Sequence, residues 1–78
     1  MMNESISELD VVKVTSLNSS VPKAEVGDKG AVLMVFGDIN SPDAYEVECV
    51  LPDGSNKWEG TFLPAQVKLV WKYSENYT

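Results

Sequence analysis

The segment that most constrains this chain is AYEVECVLPDGSNKWEGTFL, residues 44–63, in which two alternating runs flank an Asp-Gly pair. Tyr45, Val47, Cys49 and Leu51 alternate with Ala44, Glu46, Glu48 and Val50, so a strand here has one dry face and one wet face. Asp53-Gly54 is a strong hairpin signal, because a two-residue turn needs positive φ and both residue types tolerate it. With the turn centred there, Tyr45 faces Phe62 and Cys49 faces Trp58, and both pairs point inward. Glu48 then lies opposite Glu59, and Glu46 opposite Thr61, on the outer side; a four-residue loop keeps the same faces. Like charges directly opposite across a ladder are unfavourable, yet no lysine is placed between these acids.

Three further runs read as strands. Leu9–Thr15 is rich in β-branched residues, and Val67–Trp71 alternates. Ala31–Gly37 is almost continuously apolar, short and bounded by glycines, which predicts a buried strand rather than a helix. The long Ser16–Lys29 segment is a loop, with Val21 and Val26 expected to tuck its ends onto the core. Gly27 and Gly30 mark positions where positive φ or a tight bend is cheap. Asp38–Asp43 reads as a loop, and Pro64–Gln66 as a single-turn break. The expected fold class is all-β: a five-stranded SH3-like barrel over residues 9–72, with a flexible stretch at 1–8 and a polar tail at 73–78.

Composition narrows the function classes. With 78 residues the chain makes one domain with a thin core. Cys49 is the only cysteine, which excludes an intrachain disulfide and suits a reducing compartment. The start of the chain carries no secretory signal pattern and no apolar run reaches membrane-span length, so a cytoplasmic protein is expected. Net charge is −6, from twelve acids and six lysines with no arginine and no histidine. That balance argues against nucleic acid as partner, which needs a basic stripe, and favours a basic protein drawn in by electrostatic steering.

LDVVKV near the start, VGDKGAVLMVF in the second strand and AYEVECV in the third together resemble the small bacterial proteins grouped as domain-of-unknown-function family 4926. The resemblance spans roughly Leu9 to Val70 and is most specific at Tyr45, Glu46, Val47 and Glu48; Cys49 stands where an aromatic is more typical. It implies an SH3-like fold and carries no assigned activity.

Few residues offer chemistry. Without histidine the usual partner base for a nucleophile is absent, and Cys49 sits on the dry face as a small hydrophobe. No His/Cys spacing suits zinc, and DINSPD lacks the glycine and terminal glutamate of a calcium loop. GDKG lacks the frame of a phosphate loop. Tyr45, Trp58 and Phe62 are needed to fill a thin core. The expectation is a protein without enzymatic activity, metal or cofactor, that binds a basic protein. Glu46, Glu48 and Glu59 supply the charge, Asp38 and Asp43 extend it, and Trp71 and Tyr73 serve as anchors. An immunity-type inhibitor of a basic toxin, such as a nuclease, fits these traits; the alternative is an SH3-like adaptor or accessory subunit on a larger enzyme.

Overall fold

The alternating runs form β1 Val11–Val14, β2 Lys29–Asp38, β3 Ser41–Val50, β4 Asn56–Phe62 and β5 Val67–Trp71. Single 3-10 turns at Pro64–Gln66 and Tyr73–Glu75 precede and follow β5. This is a computed structural model, and it describes residues 5–76. All five strands join one antiparallel sheet in the order β4-β3-β2-β1-β5. β4 and β5 are its two edges. Extra residues at Leu33 in β2, Lys57 in β4 and Val70 in β5 shift the register, and such bulges bend and twist the strands that carry them.

One face of the bent sheet buries the core. Val12 and Val14 of β1, Val32 of β2, and Tyr45, Val47 and Cys49 of β3 meet Trp58 and Phe62 of β4 and Val67 of β5. The Trp58 and Phe62 rings lie 5.2 Å apart at a tilt of 47°, an offset geometry that aromatic pairs favour. Val21 and Ala24 close the core from the long loop. Gly60 is the price of that closure: a Cβ there would come within 2.3 Å of Val21 Cγ2.

The predicted hairpin register holds from Tyr45↔Phe62 through Glu48↔Glu59 to Cys49↔Trp58. It then shifts at Lys57, so that Val50 pairs with Asn56 and the turn becomes longer than two residues. Asp53 Oδ1 accepts hydrogen bonds from the Ser55 N–H (2.9 Å) and Oγ–H (2.7 Å), and Gly54 adopts φ +91°. Leu51 therefore belongs to the turn and is exposed, not on the dry face as expected.

Three other expectations are corrected. Ala31–Gly37 is not a buried strand: Val32 is buried, but Leu33, Met34 and Phe36 are exposed. β1 pairs with β2 only over Lys29–Ala31, so the far half of β2 has β3 alone beside it and no layer to cover both faces. Val21 packs into the core, but Val26 points to solvent at 58% exposure. Within Asp38–Asp43 only Ile39 and Asn40 form the turn, and Ser41–Asp43 already belong to β3.

Gly27 adopts φ +99° as the loop reading requires, whereas Gly30 has a different reason. It lies within β2, where a Cβ would approach Val47 Cγ1 to 2.7 Å and the Glu48 carbonyl oxygen to 2.8 Å. At the chain ends, residues 5–8 of the expected flexible stretch are tied down, since Lys72 Nζ donates to the Ser5 carbonyl (2.7 Å) and Ser7 N–H donates to Asp10 (2.8 Å). Residues 1–4 and 77–78 lie outside the described residues. No helix among the described residues is long and apolar enough to cross a membrane.

Candidate protein-binding face

Strand alternation sets the outer face. Because Tyr45, Val47 and Cys49 point into the core, Glu46 and Glu48 of β3 must point out. β4 obeys the same rule around Trp58, so Glu59 and Thr61 face outward opposite them. Glu46, Glu48 and Glu59 thus meet on one surface. Neutral donors hold two of them: Thr61 Oγ1 donates to Glu46 Oε1 at 2.7 Å, and Asn56 Nδ2 donates to Glu48 Oε2 at 2.9 Å. Glu59 faces Glu48 across the ladder and has the Glu46 carboxyl within hydrogen-bond reach. A hydrogen bond shared with the Glu46 carboxyl, some loss of hydration, and the charges of Glu46 and Glu48 together raise the Glu59 carboxyl above its ordinary value.

The three ion pairs of the described residues lie elsewhere and use Lys57 and Lys72. Asp28 receives Lys57 Nζ (3.0 Å), the Trp58 indole Nε1–H (2.8 Å) and the Glu25 N–H (3.0 Å), which fastens the long loop to β4. Burial by itself pushes the Asp28 carboxyl up; these donors outweigh it and leave the group below its ordinary value. Asp10 is fully buried and receives Lys72 Nζ (2.7 Å), Ser7 N–H (2.8 Å) and the Tyr73 N–H (2.9 Å). There too burial acts upward and the hydrogen bonds, that from Lys72 foremost, win. Neither aspartate stood out in the sequence, because each partner is distant along the chain: Lys72 is 62 residues from Asp10 and Trp58 is 30 from Asp28.

The remaining predicted residues are spread around the sheet. Asp38 caps the β2–β3 turn, its Oδ1 accepting the Asn40 N–H at 2.8 Å. Asp43 sits at the irregular end of β3, with its carboxylate against Gly37, whose φ is +88°. Both lie at the tip of that hairpin, whereas Glu48 and Glu59 lie toward the opposite end of β3. Trp71 packs edge-on to Tyr73 with ring centroids 6.2 Å apart. The pairings Glu59↔Glu48↔Ala31↔Val11↔Trp71 run across all five strands, so the acids and the aromatics occupy opposite edges of one row. At strand spacing that is about 19 Å along the curved sheet.

Cys49 is buried, and its thiol is pushed up by burial and by the Asp28 charge, with Lys57 acting weakly the other way. No group of three or more His, Cys, Asp or Glu side chains among the described residues is arranged to hold a metal ion. No protein-family model matches the chain, and neither does any curated protein or solved structure.

Proposed function

We propose that this chain is a binding protein without catalytic activity that captures a basic protein through the outer face of β3 and β4. The observation that carries the reading is the Glu46–Glu48–Glu59 cluster, whose members have one another and neutral donors as neighbours but no lysine within ion-pair distance. A partner's lysine or arginine side chains supply the missing charge, and the raised Glu59 carboxyl ionises fully when they arrive. An inhibitor of a basic toxin suits this face, because carboxylates can take the places of substrate phosphates in a nuclease-like partner. The SH3-like barrel, the kinship with family 4926 and the cytoplasmic setting belong to the same reading. A β1–β4 meander with β5 returned beside β1 supports the first, and the lone buried cysteine is compatible with the last. A standard interface covers about 800 Å² on each partner, wide enough to reach from the acids toward Trp71 and Tyr73.

The test starts from the partner recovered with the chain from its native host and identified by mass spectrometry. Glu48→Lys or Glu59→Lys alone should leave the free domain equally or more stable in urea, since a repulsive cross-strand pair becomes an attractive one. Each should weaken binding, and the Glu48→Lys, Glu59→Lys double variant should bind at least tenfold (~1.4 kcal/mol) more weakly, mainly through slower association with a flatter salt dependence. Unchanged affinity would return this face to ordinary solvated surface and move the search to the Ser16–Lys29 loop and the aromatics of β5. Loss of the partner's own activity on binding marks an inhibitor; retained activity marks an adaptor.

A further inference from the structure

The outer face carries a second like-charged row that the partner reading leaves unused. Lys13 lies directly opposite Lys29 on one side and Lys68 on the other, so three of the six lysines form a line across β2, β1 and β5. The line is on the same face as the glutamates: Val12 and Val14 point inward, and Lys13 shares its side of β1 with Val11, which belongs to the row containing Ala31, Glu48 and Glu59. None of the three lysines makes an ion pair among the described residues. The chain therefore sets acid against acid and base against base on one surface, although exchanging positions would pair them within the sheet. Between the rows lies a shallow depression of about 190 Å³, lined by Val11, Gly30, Ala31 and Val50 and flanked by Glu48 and Lys29. The small side chain of Ala31 keeps its floor low.

We propose that a second copy of this chain docks on this face. A two-fold axis lying over the Val11–Ala31–Val50 band carries the acidic row of each copy onto the lysine row of the other. Both like-charge rows then gain opposite charges at once, and the small apolar residues between them leave the surface. Three acids meet three lysines, twice. The net charge of −6 on each copy opposes the approach at long range. At physiological salt the screening length is about 8 Å, so that repulsion is damped while pairs in contact survive. The contact does not rest on the partner reading. It competes for the same glutamates, so a more basic protein would displace the second copy.

Sedimentation equilibrium at 0.15 M salt tests this with two charge-reversed chains. One carries Glu48→Lys and Glu59→Lys, making both rows basic; the other carries Lys13→Glu and Lys68→Glu, making both acidic. The wild type should show a reversible monomer–dimer equilibrium below about 1 mM. Each reversed chain alone should dimerise at least tenfold more weakly, and an equimolar mixture should recover dimers within about threefold of wild type. Urea denaturation of each variant verifies that it is folded. The Lys29→Glu single variant, weakened alone and rescued by the basic-row chain, serves if the acidic double variant does not fold. A wild type that stays monomeric, reversed chains that dimerise as the wild type does, or a mixture that stays monomeric would each overturn the proposal. None of these outcomes decides whether a basic partner binds.

Discussion

Asp10 and Glu48 are carboxylates of the same small domain, and the chain treats them in opposite ways. Asp10 is fully buried, and a lysine, a serine and two backbone N–H groups saturate it. Glu48 is half-buried on the outer face, directly opposite another glutamate, with an asparagine as its only side-chain donor. The first arrangement is what a buried charge demands, since an unpaired one costs several kcal/mol. The second is a local conflict that solvent makes tolerable. Where local choices oppose the global fold without a structural return, a functional surface is the expected reason. The aspartates at the chain ends and in the long loop hold the structure together, and the glutamates of β3 and β4 are available to something else.

Removing Asp10 should break the first arrangement with the largest effect. Asp10→Ala leaves the Ser7 and Tyr73 N–H groups without their acceptor and Lys72 Nζ without its counter-charge, with only the Ser5 carbonyl and Ser7 Oγ to accept from it, and should cost about 3 kcal/mol in urea denaturation. That is a large part of what a domain this size holds. A loss below about 1 kcal/mol would mean that water replaces the carboxylate and that the contrast with Glu48 is false.

A smaller effect is expected at the loop clamp. Trp58→Phe keeps a ring against Phe62 but removes the indole donor to Asp28, and should cost about 1–2 kcal/mol. Amide exchange should quicken first in the Ser16–Lys29 loop, before the β2–β3 ladder, if Asp28 is what fastens that loop. Uniform quickening would assign the loss to core packing instead.

The smallest effect separates the two kinds of acid by pH. Asp10 and Asp28 titrate below the ordinary 3.8 in the folded chain, so their contribution is complete above 3.8 and is lost as pH falls through their folded values. Glu59 has the opposite sign. Its folded value lies above the ordinary 4.5, so the folded state loses stability as pH rises from 4.5 through that value. Acidifying from neutrality should therefore raise the urea midpoint slightly, then lower it once the pH passes below 3.8. Glu59→Gln should abolish the rise and keep the fall, whereas Asp10→Asn should reduce the fall and keep the rise. A rise that persists in Glu59→Gln would locate the conflict in another group.

Much of this architecture is written in local pattern. Period-two alternation places Tyr45, Val47 and Cys49 inside and Glu46 and Glu48 outside, and the Asp53-Gly54 signal aligns Glu48 with Glu59 without any knowledge of the fold. These are short-range consequences of backbone geometry, so residues 44–63 contain what is needed to read them. The exposure of Met34 and Phe36 was not legible there. An apolar run states that burial is favourable, but only the extent of β1 pairing decides whether a second layer exists to bury it.

The Asp10–Lys72 and Asp28–Trp58 contacts were equally hidden, since nothing in the sequence around an aspartate tells which distant donor the folded chain will bring to it. The lysine row has the same origin: Lys13, Lys29 and Lys68 are far apart in sequence and become neighbours through the β2-β1-β5 order alone. By itself the sequence determined which residues of the alternating strands β3 and β4 face water. Which outward residues stand together, acids on one side and lysines on the other, was decided by strand order and register, because side-chain alternation acts within a strand and charge clustering acts between them.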